Sequence, residues 1–197
     1  MLEFPASHQL GGESASRFPA SNCAVDPVGF LCESHREIER FLSSLIRIAK
    51  DSRDGQEREP KMFATALRYF SAISPDHTAD EEESLFPRLR RASHPEINKV
   101  LRQLEPLEEE HGCADRAHDE VNRLGKLWLA SGRLSPSQTD RLATVLAGLG
   151  DLYRRNIQVE ECGVFPLVAG LLQPEDLESL GTEMIERHAR GTGRNAE

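Results

Sequence analysis

The sequence lacks any long hydrophobic run. No apolar stretch approaches the roughly 20 residues that a membrane-spanning helix needs. The first residues, MLEFPASHQLGGESASRF, contain no charged segment followed by an apolar one, which is the pattern of a secretion signal. We therefore expect a cytoplasmic protein that has no membrane partner.

The sequence also has no excess of basic residues. The 197-residue chain has 24 Lys and Arg against 33 Asp and Glu, which gives a net charge of −9. Nucleic-acid affinity depends on clustered Lys and Arg. We therefore expect no nucleic-acid partner.

Cysteines are few and form no metal-binding motif. The four are Cys23, Cys32, Cys113 and Cys162. None belongs to a C-x-x-C pair, and none lies beside His at zinc-finger spacing. We expect each to be a reduced, half-buried thiol on a helix.

Alternating apolar and polar residues, the pattern of a strand, are absent as well. Instead, four segments repeat apolar residues at steps of three and four, which is typical of one helix face. These segments cover residues 25–50, 60–91, 95–129 and 137–172, and a short helix follows at 175–190. Long helices joined by short loops favour antiparallel neighbours. The sequence therefore predicts an all-α fold, an up-down-up-down antiparallel four-helix bundle with a short C-terminal helix.

The composition also suggests domain boundaries. Residues 1–24 are rich in Ser, Gly and Pro and show no apolar period, so we expect a flexible N-terminal arm. The bundle is predicted to span residues 25–190. Residues 191–197 are predicted to be a disordered tail.

An internal repeat links the second and fourth segments. HTADEEESLFP, from His77, aligns without gaps with NIQVEECGVFP, from Asn156. Upstream, His35 precedes His77 by 42 positions and His111 precedes Asn156 by 45. The two halves of the bundle therefore look like two copies of one helical hairpin.

Several ionisable residues interrupt the apolar rows. They are His35, His77, Glu81, His111, His118 and Glu160. Burying unpaired carboxylates and imidazoles is costly, so such a group in the core needs a compensating cation. His77 and Glu81 lie one helical turn apart on one face and can reach the same ion. Imidazole with carboxylate suits iron, manganese or zinc, and two carboxylates between two ions best suit a dinuclear iron centre.

The paired repeat resembles the hemerythrin-like HHE cation-binding domains. The residues that carry the resemblance are His35, the H-x-x-x-E-E-x-x-L-F-P stretch from His77, the Glu110-His111 pair and the second E-E-x-x-V-F-P stretch. The resemblance implies a non-haem di-iron centre inside the bundle. By position, His35, His77 and His111 correspond to terminal ligands, and Glu81 and Glu160 to bridging carboxylates. Glu82 is expected to orient a ligand His through its other ring nitrogen.

Asn156 departs from the family pattern, which has a fourth repeat His at this position. Asn is a poor iron ligand, so we expect one half-site to be weakened. Water, His118 or Asp115 are open as replacements, and so is the binding of a single metal. His118 lies two turns after His111 on the same face, and Asp115 lies one turn after it.

A metal centre with a vacant coordination position favours a protein that binds oxygen, nitric oxide or peroxide, or that handles iron. Two alternatives stay open. One is a peroxidase or oxidase acting at the same centre. The other is a metal-depleted helical scaffold whose polar residues form a core hydrogen-bond network. The oligomeric state is also open.

Overall fold

The computed structural model describes residues 26–53 and 60–194, and every regular element in these ranges is helical. The α-helices are α1 (Pro27–Arg53), α2 (Pro60–Ala79), α3 (Phe86–Arg91), α4 (Ile97–Ser131), α5 (Pro136–Val159), α6 (Phe165–Leu171) and α7 (Pro174–Arg194). Two π-helical turns, π1 (Asp80–Leu85) and π2 (Glu160–Val164), join α2 to α3 and α5 to α6. The predicted all-α class is confirmed for the described residues.

Local capping signals explain where several helices begin and end. The carboxylate of Asp26 accepts a 2.8 Å hydrogen bond from the Gly29 N–H at the start of α1. Ser135 and Gln138 form a reciprocal capping box at the start of α5. Gly132 ends α4 with a φ of 69°, a left-handed conformation that favours glycine.

The four long helices pack in a ring. α1 contacts α2 and α5, and α4 contacts the same two helices. The C-terminal helix α7 packs against α1, α2 and π1.

Two apolar clusters form the core. The first includes Ile38, Leu45, Phe70, Leu124 and Leu146, and the second includes Leu31, Leu85, Leu104, Val164 and Leu180. In α1 and α4, residues of the second cluster precede residues of the first. From α2 to π1 and from α5 to π2, residues of the first cluster precede residues of the second. A layer of buried polar residues separates the clusters on every long helix.

The boundary predictions meet the structure only in part. The arm predicted at 1–24 lies outside the described residues, as do residues 195–197 of the predicted tail. α7 continues as far as Arg194, beyond the predicted bundle boundary at 190. In the described part of the chain, no helix is both long and apolar enough to cross a membrane.

A close approach between α2 and α4 gives the first prediction. A Cβ on Gly125 would lie 2.6 Å from Leu67 Cδ2 and 3.2 Å from Phe63 Cε1. We expect Gly125→Ala to destabilise the protein by about 1 kcal/mol, because overpacking exceeds the gain in helix propensity. Chemical denaturation measures this change.

Gly148→Ala is the matched control for that variant. Gly148 lies within α5, and nothing is within 4 Å of the position of its Cβ. Its substitution should stabilise the protein by about 0.5–1 kcal/mol. The same sign of change in both variants would contradict the packing described at Gly125.

Candidate metal centre

The two π turns position the two central glutamates. In π1 the Phe86 N–H bonds to the Glu81 carbonyl, and in π2 the Phe165 N–H bonds to the Glu160 carbonyl. A proline, which has no N–H to donate, follows each phenylalanine. Such π turns inside helices are common at functional sites. The Phe-Pro pairs of the repeat therefore coincide with the irregular turns that carry the glutamates.

Glu81 and Glu160 meet in the polar layer, and each is at most 1% exposed. Glu81 Oε1 lies 3.5 Å from His77 Nε2 and 3.8 Å from His35 Nε2. Its other oxygen, Oε2, lies 3.5 Å from His111 Nε2. Glu81 therefore presents one oxygen to His35 and His77 and the other to His111.

Glu160 is arranged in the same way. Its Oε2 lies 3.1 Å from His35 Nε2, and its Oε1 lies 3.7 Å from His111 Nε2. The pair of carboxylates thus spans two positions, one beside His35 and His77 and one beside His111. At the first position, ligand atoms of His35, His77, Glu81 and Glu160 all lie within 4.8 Å of one another.

Several buried atoms of this layer have no hydrogen-bond partner among the described residues. They are His35 Nε2, His77 Nδ1, both carboxylate oxygens of Glu81 and Glu160 Oε1. Buried polar atoms in native proteins are almost always bonded. A metal ion would satisfy His35 Nε2 and the three carboxylate oxygens, and the donor set suits iron.

The chain was compared with known proteins. The family profile of the hemerythrin HHE cation binding domain matches residues 26–169, which is more than half of the chain. The chain belongs to this family. A comparison with curated proteins finds no match. The resemblance noted in the repeat is confirmed, and the His and Glu cluster is what a cation-binding domain requires.

In this HHE domain, the Nδ1 hydrogen bonds of His35 and His111 each join one helical hairpin to the other. His35 donates from Nδ1 to Glu161 of the second repeat at 2.9 Å. His111 donates from Nδ1 to Glu82 of the first repeat at 2.8 Å. These bonds leave Nε2 of each ring free toward the central carboxylates. The contact expected of Glu82 is therefore present, and Glu161 makes the equivalent contact.

Aromatic rings from the Phe-Pro pairs support the same imidazoles. Phe165 stacks on His35 with ring planes 9° apart, and Phe86 stacks on His111 with planes 10° apart. Stacking and the Nδ1 hydrogen bond together fix the orientation of each ring. The environments of His35 and His111 therefore match around the pseudo-two-fold relation of the repeats.

The metal-free site balances its charge with protons. Burial would lower the pKa of His35, but Glu160 and Glu81 outweigh burial and raise it to about 10. The same opposition raises the pKa of His111 to about 9. Burial and the charge on His35 hold the pKa of His77 well below its usual value. Burial and the Glu160 charge raise the pKa of Glu81, whereas His111 and His35 lower that of Glu160 against burial.

Helix α7 is hydrogen-bonded to π1 and lies beyond the residues that the family profile matches. The buried Asp80 carboxylate accepts hydrogen bonds from Arg187 and, at 2.8 Å, from His188 Nε2. The repeat has Val159 at the position equivalent to Asp80, so this contact is specific to π1. Sequence analysis missed it, although the exchange of Asp for Val within the repeat was a readable signal.

Asn156 is buried, and its side chain lies against polar atoms of neighbouring residues. When the amide is oriented with its nitrogen toward these acceptors, Asn156 donates to the Glu110 carboxylate and, at 3.3 Å, to the Leu152 carbonyl. Asp115, one of the proposed replacements for the missing His, is exposed.

His118 lies outside the four-residue cluster. Its Nε2 is 3.0 Å from the Tyr153 hydroxyl and 3.4 Å from Ser74 Oγ. Its ring stacks on Phe70 at a centroid distance of 4.4 Å, and burial lowers its pKa to about 4. The structure thus gives His118 hydrogen-bond partners, whereas the sequence predicts a metal ligand, and substitution of His118 decides between the two roles.

Metal binding should release protons from this site. At neutral pH the raised pKa values keep His35 and His111 protonated in the metal-free protein, whereas a metal ligand must be a neutral imidazole. We expect protons to be released and apparent affinity for Fe²⁺ to rise with pH between about pH 6 and 8. Anaerobic calorimetry in buffers of different protonation enthalpy measures the protons. Affinity that is flat over this range, with no proton release, would contradict the charge balance described.

His118→Ala separates a ligand from a core residue. Because its Nε2 is already engaged, we expect full metal content and a loss of about 2–3 kcal/mol of stability. Tyr153→Phe, which removes one hydrogen-bond partner but keeps the ring, should cost about 1 kcal/mol. Metal analysis and denaturation of both variants measure these effects. Loss of half the bound metal in His118→Ala would show instead that His118 is a ligand.

Proposed function

We propose that this hemerythrin-family protein holds two non-haem iron ions between Glu81 and Glu160. The observation that supports the proposal is that each buried carboxylate directs one oxygen toward His35 and the other toward His111. Carboxylates that bridge two ions have this arrangement, and the lack of hydrogen-bond partners at three of the four oxygens supports it.

The residues divide into two half-sites. His35 and His77, with Glu81 Oε1 and Glu160 Oε2, would hold the first ion. His111, with Glu81 Oε2 and Glu160 Oε1, would hold the second. Two nitrogens and two oxygens at the first position make it the stronger half-site, since Asn156 replaces the second imidazole at the other.

Small-ligand binding is the function that this ligand set supports best. Each position has at most four protein ligands, which leaves room at the metal for an exogenous molecule. Iron would supply the binding of oxygen, nitric oxide or peroxide. The protein would supply ordered imidazoles, charge balance and a core closed by two apolar clusters.

We also propose the up-down-up-down antiparallel course of the four long helices. Its support is the reversed order in which the two apolar clusters follow one another on successive long helical segments. The ring of contacts among these helices is consistent with it.

The central prediction concerns iron stoichiometry. Protein produced with ample iron should contain between one and two iron ions per chain and show absorption from bridged ferric ions without a haem band. We expect Glu81→Ala to lose both ions, because Glu81 reaches both positions. His77→Ala should lose only the first ion and His111→Ala only the second. Metal analysis and visible spectroscopy measure this pattern.

Glu83→Ala is the matched control, since Glu83 belongs to the same π turn and its side chain is 71% exposed. It should keep the iron content of the wild type. The proposal would be contradicted by wild-type protein that contains no iron and loses no thermal stability on chelation.

A further inference from the structure

The repeat exchanges two residues together. In the first repeat Ser34 precedes His35, and the equivalent residue of the second repeat is Glu110, which precedes His111. The first repeat has His77 one turn before its glutamate, whereas the second has Asn156. The half that lacks an imidazole therefore has a carboxylate where the other half has the serine hydroxyl.

The exchanged residues touch. Asn156 is 2% exposed, and its amide, when oriented with the nitrogen toward Glu110, donates to Glu110 Oε2. Ser34, the counterpart of Glu110, instead donates to the carbonyl of Phe30 at 3.2 Å. Glu110 thus points to the place that an imidazole occupies in the other half.

An unpartnered oxygen lies next to this pair. Glu160 is one turn after Asn156 on the same face, and its Oε1 is buried without a hydrogen-bond partner among the described residues. That oxygen is 3.7 Å from His111 Nε2. His111 itself follows Glu110 directly. The second position therefore has an unpartnered carboxylate oxygen of Glu160, and Glu110 contacts Asn156, one turn before that glutamate.

We propose that Glu110 is the metal ligand that replaces the missing imidazole at the second position, and that Asn156 orients it. This inference rests on the proposed two-iron centre. A carboxylate oxygen has two lone pairs, so Oε2 can accept the Asn156 N–H and still bind an ion. Asn156 then acts as an outer residue that fixes a ligand, as Glu82 and Glu161 do for the imidazoles.

The competing interactions of Glu110 are weak. Arg155 lies 3.6 Å from Glu110 Oε1, and its side chain is 59% exposed. An exposed ion pair of this kind contributes little to stability, so an ion can displace it. The other replacements that the sequence raised are less well placed, since Asp115 is exposed and His118 is bonded to Tyr153.

The test replaces residues of the second repeat with their counterparts from the first. Glu110→Ser should reduce bound iron from two ions per chain to one. The double variant Glu110→Ser with Asn156→His recreates the Ser34–His77 pair and should restore two ions. Glu109→Ser is the matched control, because Glu109 is an exposed neighbour on the same helix, and it should keep both ions. Iron is counted by elemental analysis after anaerobic loading with Fe²⁺ and removal of excess metal.

Glu110→Gln covers the case in which Glu110→Ser does not fold. Gln keeps the length of Glu and can accept the Asn156 N–H, but it is a neutral and poor iron ligand, so it should also bind one ion. Two ions in either single variant would overturn the inference and leave the two-iron centre standing. A wild type with one ion would overturn the role of Glu110 at a second position. A wild type with none would overturn the proposed function as well.

Discussion

The burial of two carboxylates side by side is the constraint on which the rest of the structure depends. Glu81 and Glu160 lie in a layer that water does not reach, where an uncompensated pair of negative charges would cost several kcal/mol per ion. Protons on His35 and His111 supply the compensation when no metal is bound. A pair of metal ions would supply it without those protons. The buried polar layer is therefore poised for cations, and removing one partner leaves a charge exposed to an apolar core.

Compensation of the buried carboxylate charges depends on residues from both helical hairpins. Glu161 of the second repeat orients His35 of the first hairpin, and Glu82 of the first repeat orients His111 of the second. In the proposed centre, each half-site would also take one carboxylate oxygen from each hairpin. Neither half-site would be complete within one repeat, so metal affinity and the association of the hairpins would be thermodynamically linked.

The sequence predicted the helices and the central residues because both leave periodic signals. Rows at steps of three and four located His35, His77 and Glu81 on inward faces, and burial agrees. Contacts between helices leave no such signal. The bonds of His118 to Tyr153 and Ser74 join three helices, and the inward position of His118 in the sequence gives no sign of them. Glu110 lies off the apolar row, so the periodic pattern does not single it out as a ligand.

Anomalous diffraction at the iron absorption edge, from crystals of iron-loaded protein, tests the central claim most directly. The account predicts two peaks in the core between Glu81 and Glu160, one beside His35 and His77 and one beside His111. Bridging carboxylates hold such ions about 3.5–4 Å apart. The absence of any peak in this layer, or iron bound only at the surface, would contradict the account.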